Sequence, residues 1–477
     1  MEQSKVFELF CKFSGYERIH LRRFIHSPYH NQREDVCLLF DFLEKNTKKS
    51  KPDYDKKKAW AYCYGEHKPF KDNDMRSLMT FLLKTMERFL EVEMLLEKDP
   101  TQQFVYLAKA YQNLQLPTHT NQNLSQFEKY LTQHTQPNSY FLRAKYEYEQ
   151  AHYTHTETLK RNTQRSLQSL TDSLETQFIA ERLRQACELL AHQTVYKIEY
   201  DKGMLDFLLG YVAQKKEIFL NQPAISLYYY YYQASTQTSE ASADFFELYT
   251  QQLLAIQTNF PMDELRNLYK MAINYTIRKT NTDSSQFYTN RMFVFYEAGL
   301  SQSILLENKQ LSRFTYKNMV SLALLLGKHA WALDFIRQYT PLLPANFQPI
   351  YEPYALGKYH FATKNLPLAL EYLHKVTHED IFLSLDIRST QLKIYYELGD
   401  YDTLDYYWQS FKMFLSRQKK VLGYHYPIYK QILHLTNQLT KSLNFSKTNI
   451  SQLSKKIKTI PTLTEREWLL KMLEGKK

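Results

Sequence analysis

Glycine is nearly missing from this chain, with 10 residues in 477. At about 2% against a usual ~7%, few positions can take a positive φ without strain, so hairpins, sheet corners and phosphate-cradling loops are scarce. Proline contributes only 15 residues. Such a chain is expected to be all-α: at least three quarters helical, with no sheet of three or more strands. The same scarcity leaves no G-x-S-x-G, G-x-x-x-x-G-K-[ST] or G-x-G-x-x-G, so hydrolase elbows, P-loops and dinucleotide folds are not written here.

Apolar mass is ample, at 44% hydrophobic and 15% aromatic, but much of it is tyrosine, with 39 Tyr beside 29 Phe. A Tyr ring can be buried while its hydroxyl reaches water or a carbonyl. The densest stretch is SLYYYYYQAS at 226–235. With Asn221 as N-cap and Pro223 in the first turn, a helix puts Ala224, Leu227, Tyr228 and Tyr231 on one face. Ile225, Tyr229 and Tyr232 fall on the adjacent face. A helix apolar on two faces packs against two neighbours, and Tyr230→Ala is then expected to act as a core truncation. A strand suits tyrosine by propensity, but no partner strand or hairpin turn is offered nearby.

Residues 1–100 form a helical N-terminal unit or cap, in which Leu78, Phe81, Leu82, Met86, Phe89 and Leu90 make one apolar stripe at spacings of three and four. The four cysteines, Cys11, Cys37, Cys63 and Cys187, show no C-x-x-C spacing and read as free buried thiols. No signal-peptide core and no apolar run of about 18 residues occurs, which points to a soluble cytoplasmic protein with no membrane insertion. The net charge of +11 lies mostly in two places: seven Lys against three acids at 44–58, and eight basic against three acidic residues at 447–477. A solvated loop and a basic tail account for it.

From 101 the pattern becomes repetitive. LLLGKHAWALDFI (324–336), ATKNLPLALEYL (362–373) and YELGDYDTLDYYW (396–408) align on Ala332, Ala369 and Leu404, at spacings of 37 and 35 residues; the turn residues Gly327, Lys364 and Gly399 recur at the same intervals. In these residues the chain resembles the tetratricopeptide repeat family, whose unit is a helix pair of about 34 residues. In the second copy Leu356-Gly357 matches the small-residue position of the first helix, Lys364 to Pro367 the turn, Ala369 the small residue of close approach, and Leu373 the large residue of the second helix. The third copy departs from the pattern, with Leu392 beside Tyr395 in place of the glycine and Leu404 in place of the alanine. The likeness is good over 310–412, degenerate over 101–310 and absent before 100. The chain is also similar to uncharacterised bacterial tetratricopeptide-like proteins, a likeness that carries no activity. The resemblance implies a right-handed α-solenoid of antiparallel helix pairs. Its parts are degenerate repeats at 101–309, the clearest repeats at 310–440, and a basic linker with a C-terminal capping helix at 441–477.

Candidate chemistry is sparse. His374 and His378 sit four apart, without the glutamate of H-E-x-x-H or a third ligand, and read as a solvent-facing helix end. His152 with His155, and His26 with His30, are weaker pairs. No catalytic, metal or cofactor site follows, and the chain reads as a non-enzyme. Binding is left. The resemblance implies a concave groove lined by first helices, and it places Lys358, Lys393, Phe361 and Tyr396 there, with Ser321 and Leu324 from the preceding unit. Two lysines and two aromatics suit an acidic, partly apolar peptide. Read as solvated, the two lysines are expected to tolerate reversal to Glu with little loss of stability. In TLTEREWLLKML, Thr462 and Glu465 form a capping box ahead of Trp468, Leu469 and Met472 on one face. That helix either covers the last repeat or folds back along the groove as a plug. The function expected is an interaction scaffold or adaptor for a protein or peptide; the alternative is a nucleic-acid-binding solenoid using the basic segments and exposed tyrosines.

Overall fold

The computed structural model describes residues 1–47, 49, 51–97, 100–133, 138–159, 164–237, 241–256, 260–280, 286–377, 380–423, 425–441, 447–460, 463 and 465–474. Helices take up 81% of these, in 25 α-helices, as the low glycine content requires. Among the described residues the extended exception is a two-stranded hairpin, Leu306–Glu307 with Gln310–Leu311. Its two-residue turn uses Asn308 and Lys309 at φ 51° and 64°. Positive φ at both positions matches the right-handed strand twist, and here it is met without glycine.

The chain divides into two compact units, Met1–Arg182 and Leu183–Lys477. The first holds α1 (Lys5–Lys12), α2 (Gly15–Ile25), α3 (Glu34–Thr47), α4 (Lys56–Tyr64), α5 (Asp72–Glu97), α6 (Pro100–Asn113), α7 (Pro117–Gln133) and α8 (Ser139–Leu159). The division falls inside α9 (Gln164–Tyr196), well past residue 100. Ser14 and Glu17 close a reciprocal capping box at the start of α2, and Asp55 accepts from two amides at the start of α4. On α5 the buried stripe is Met75, Leu78, Leu82, Met86 and Phe89. Phe81 and Leu90 lie outside it, because a 3.6-residue period carries them round to solvent; the Arg33 guanidinium sits 4.1 Å above the Phe81 ring. Cys63 and Cys187 are buried free thiols, and burial pushes Cys63 up to about 12. Cys37 is half-buried and Cys11 exposed, since α1 turns Phe10, and not its neighbour, into the core.

The second unit continues with α10 (Leu205–Gln214), α11 (Lys216–Phe219), α12 (Pro223–Thr236), α13 (Ala241–Ala255), α14 (Met262–Thr280) and α15 (Gln286–Ser301). The tyrosine run is helical, as its two apolar faces require. Tyr228, Tyr229, Tyr231 and Tyr232 are buried, and Tyr228 donates to the Glu264 carboxylate at 3.0 Å. Tyr230 is half-buried, the one ring of the five turned to the outer side, so the core truncation belongs to Tyr231. Asn221 does not cap α12: its amide donates back to the Glu217 carbonyl at 2.6 Å, and Gln222 takes the N-cap place ahead of Pro223. The hairpin is fastened to α14, where Arg266 donates to the carbonyls of Ile304 at 2.8 Å and Leu306 at 2.9 Å.

Next come α16 (Arg313–Leu325), α17 (His329–Tyr339), α18 (Gln348–Ala362), α19 (Leu366–His374), α20 (Ile381–Leu398) and α21 (Tyr401–Arg417). They pack as pairs, α16 with α17, α18 with α19 and α20 with α21, while α16, α18 and α20 also adjoin in series. One turn recurs three times. Gly327, Lys364 and Gly399 all have left-handed φ, at 70°, 64° and 73°. After each, the next amide reaches back five residues: Lys328 to Ala323, Asn365 to His360, Asp400 to Tyr395. This is the bonding that ends a helix on a left-handed residue. Gly357 is required by close approach, since a Cβ there would stand 2.7 Å from Leu373 and 3.4 Å from the Ala369 carbonyl. The chain closes with α22 (Lys419–Leu422), α23 (His425–Lys441), α24 (Lys447–Thr459) and α25 (Arg466–Glu474). The described part of the basic C-terminal stretch is therefore helical and packed on its apolar side, with Lys455, Lys456 and Lys458 exposed. Ile450, Leu453 and Ile457 of α24, with Leu469 and Leu473 of α25, are buried in one core with Phe411 and Leu435.

Candidate functional site

On α18, Tyr354, Lys358 and Phe361 are four and three residues apart and so share a face; on α20, Asp386, Thr390, Lys393 and Glu397 do the same. Because the two helices adjoin, these faces meet and their charges alternate. The Lys358 ammonium donates to Asp386 Oδ1 at 3.0 Å and to Thr390 Oγ1 at 3.1 Å. Lys317, from α16, lies 3.4 Å from the other Asp386 oxygen, which also accepts from the Tyr354 hydroxyl. One turn further, Lys393 donates to Glu465 Oε2 at 2.7 Å, and Ser389 donates to Glu465 Oε1 at 3.3 Å.

Of the four expected site residues, Lys393 and Phe361 are brought together, with Lys358 one turn before Phe361 on α18. The Lys393 ammonium lies 5.2 Å from the centre of the Phe361 ring, and Tyr396 lies one turn along α20. Their setting differs from the solvated groove expected of them. The Lys358 side chain is 15% exposed and that of Lys393 only 8%, and each is already paired within the chain. Charge reversal at either position would set two carboxylates together in a mostly buried place, so it is not neutral for stability. Ser321 and Leu324 are half-buried on α16.

The acidic partner of the lysines comes from the C-terminal segment. Glu465 precedes the first residue of α25, and Trp468 follows one turn later. Trp468 Nε1 donates to Glu397 Oε1 at 2.9 Å, and its ring meets Tyr396 edge-on at 5.5 Å. Glu397 also pairs with Lys364, the left-handed turn residue. Thr462, the other half of the expected capping box, lies outside the described residues. On α25 the fully buried side chains are Leu469 and Leu473, while Trp468 and Met472 are half-buried.

Ionisation follows from this wiring. Burial works against the Asp386 carboxylate, but Lys358, Lys317 and the Tyr354 hydrogen bond outweigh it and hold its pKa well below the usual carboxylate range. Glu465 is subject to the same opposition; Lys393 and then Lys358 bring its pKa down. Burial likewise disfavours the Lys358 ammonium, and Asp386 followed by Glu465 raise its pKa above the ordinary lysine value. Carboxylates fixed in the ionised state at neutral pH cannot donate as general acids and are weak bases. The arrangement is suited to holding charge in place.

A pH profile follows. Depressed carboxylates add stability that is complete above their unfolded pKa, near 4, and is lost as pH falls below it. A raised lysine adds stability that is complete below about 10.5 and lost above it, and Tyr354 and Tyr429, raised by burial, act in the same direction at the alkaline end. Thermal midpoints measured from pH 2 to 12 are expected to form a plateau between about pH 5 and 10. Asp386→Asn should flatten the acid limb.

The other candidates are not drawn together. His374 is exposed and His378 lies outside the described residues. His155 is buried, 2.8 Å from Asn121 Oδ1, and the His26 ring lies 3.1 Å from Asp41. Among the described residues no group of three His, Cys, Asp or Glu is placed to hold a metal ion, and no helix is long and apolar enough to cross a membrane. Sequence reading missed Asp386, Glu397, Lys317 and Tyr354; the signal for the first two was their place in register with Lys393 on one helix face. Compared with known proteins, the chain matches no family model, no curated protein and no solved structure.

Proposed function

We propose that this chain is a non-catalytic interaction scaffold of the cytoplasm, a right-handed α-solenoid of tetratricopeptide-like helix pairs. It binds a protein or peptide of acidic character on the face shared by α18 and α20, with Lys358, Phe361, Lys393 and Tyr396 as contact residues. The thrice-repeated turn and the close approach of Gly357 to Leu373 support the repeat reading. The four free cysteines fit a reducing compartment. One observation carries the binding reading: the face already grips a carboxylate and an indole, those of Glu465 and Trp468.

Capture from extracts of the native host followed by cross-linking tests this. Cross-links are expected on α18 and α20, and Lys393→Ala should weaken capture at least tenfold with helicity unchanged. Cross-links confined to residues 1–182 would move the binding site elsewhere. The nucleic-acid reading draws on the lysines of 44–58, but Lys56 is paired with Asp72 and Lys58 with Asp53. Binding of single-stranded RNA should therefore be weak and gone by roughly 0.15 M salt. Tight binding at that salt would favour the nucleic-acid reading.

A further inference from the structure

We propose that the face of α18 and α20 is a receptor for an amphipathic helix that opens with a carboxylate and carries an indole three residues later, and that α25 fills this receptor in cis as a displaceable gate. The inference rests on the scaffold reading above and adds the partner's chemistry and its regulation.

The receptor's specificity is visible in how it holds the chain's own segment. Glu465 stands just ahead of the first helical residue, where a negative charge is also favoured by the helix dipole, and both of its oxygens are engaged by α20. Without a carboxylate there, Lys393 would be a nearly buried cation lacking a counter-charge, so the site selects an acidic ligand. The indole is selected over a phenyl ring because Glu397 takes its N–H and Tyr396 walls its ring. Beyond these two side chains, α25 is anchored by Leu469 and Leu473 against α23 and α24. A competitor that reproduces Glu-x-x-Trp-Leu-x-x-x-Leu restores every one of these contacts.

Two properties make α25 a gate. It has nine residues, too few to be helical by itself, so once detached it does not persist as a rival helix. And it holds the binding-competent state to a fraction of the population, which lowers the apparent affinity of any outside ligand by that fraction. Weakening the cis contacts should therefore strengthen binding in trans.

The probe is a fluorescein-labelled peptide with the sequence of residues 463–474, LTEREWLLKMLE, used with the full-length chain. Glu465→Gln with Trp468→Ala in the chain is expected to bind the peptide at least tenfold more tightly than the unaltered chain. The same two changes in the peptide, or Lys393→Ala added to the receptor, should remove that binding. As a check independent of any substitution, saturating peptide should speed amide hydrogen exchange within 466–474 of the unaltered chain and leave α16–α19 unchanged. Equal peptide affinity for both chains, or exchange in 466–474 that the peptide does not alter, overturns the gate. A chain that cross-links its partner on α18 and α20 yet binds no such peptide refutes the gate alone. Cross-links that avoid those helices refute the scaffold site itself.

Discussion

Replacing Asp386 with Ala is expected to lower the unfolding free energy by about 3–5 kcal/mol, measured by urea denaturation followed by circular dichroism. The carboxylate accepts from Lys358 and Tyr354 and is ion-paired with Lys317 as well. Its removal leaves the Lys358 ammonium, 15% exposed, with Thr390 as its remaining close acceptor. An uncompensated buried charge costs far more than a surface ion pair contributes, which is about 0–1 kcal/mol. Exchanging the pair together, Asp386→Leu with Lys358→Met, should recover much of the loss, because the cost lies in the orphaned charge more than in the lost attraction. A single substitution that costs under about 1 kcal/mol would show that water reaches Lys358 freely and that the charge ladder is a surface feature.

Tyr231→Ala is expected to cost about as much, roughly 3–5 kcal/mol, by a different route. The Tyr231 ring is 2% exposed and lies 5.5 Å from Tyr249 and 6.4 Å from Tyr275, between α13 and α14. Its loss opens a cavity among large rings that cannot close around it. Tyr230→Ala, one residue away on the half-buried side, should cost only about 1 kcal/mol. Near-equal effects of the two changes in thermal melts would mean that α12 is not packed on two faces.

What the sequence made legible was local. Gly357, Ala369 and Leu373 lie within one helix pair, and the resemblance to the repeat family implies the close approach that a Cβ on Gly357 would block. Gly327, Lys364 and Gly399 were found as a period, and all three occupy the same left-handed turn. The site was legible in half. Lys358, Phe361, Lys393 and Tyr396 share one surface by the family resemblance alone, and within it the structure sets the Lys393 ammonium over the Phe361 ring. The pairing with the C-terminal segment was not legible residue by residue, because Glu465 is 72 residues from Lys393 and Trp468 is 71 from Glu397, and no local rule links such positions. The same limit explains Phe81, Leu90 and Tyr230, where a periodic stripe shows which residues share a side but not how wide the buried part of it is.

The separation between Lys393 and Glu465 also orders events in time. A ribosome adds the intervening 72 residues in roughly 4–14 seconds, at about 5–20 residues per second. Lys358, Asp386 and Thr390 are complete as a set well before that, since they lie within 32 residues of one another. Lys393 is different. For those seconds its carboxylate has yet to be made, so the pair with Glu465 can close only after synthesis has passed residue 465.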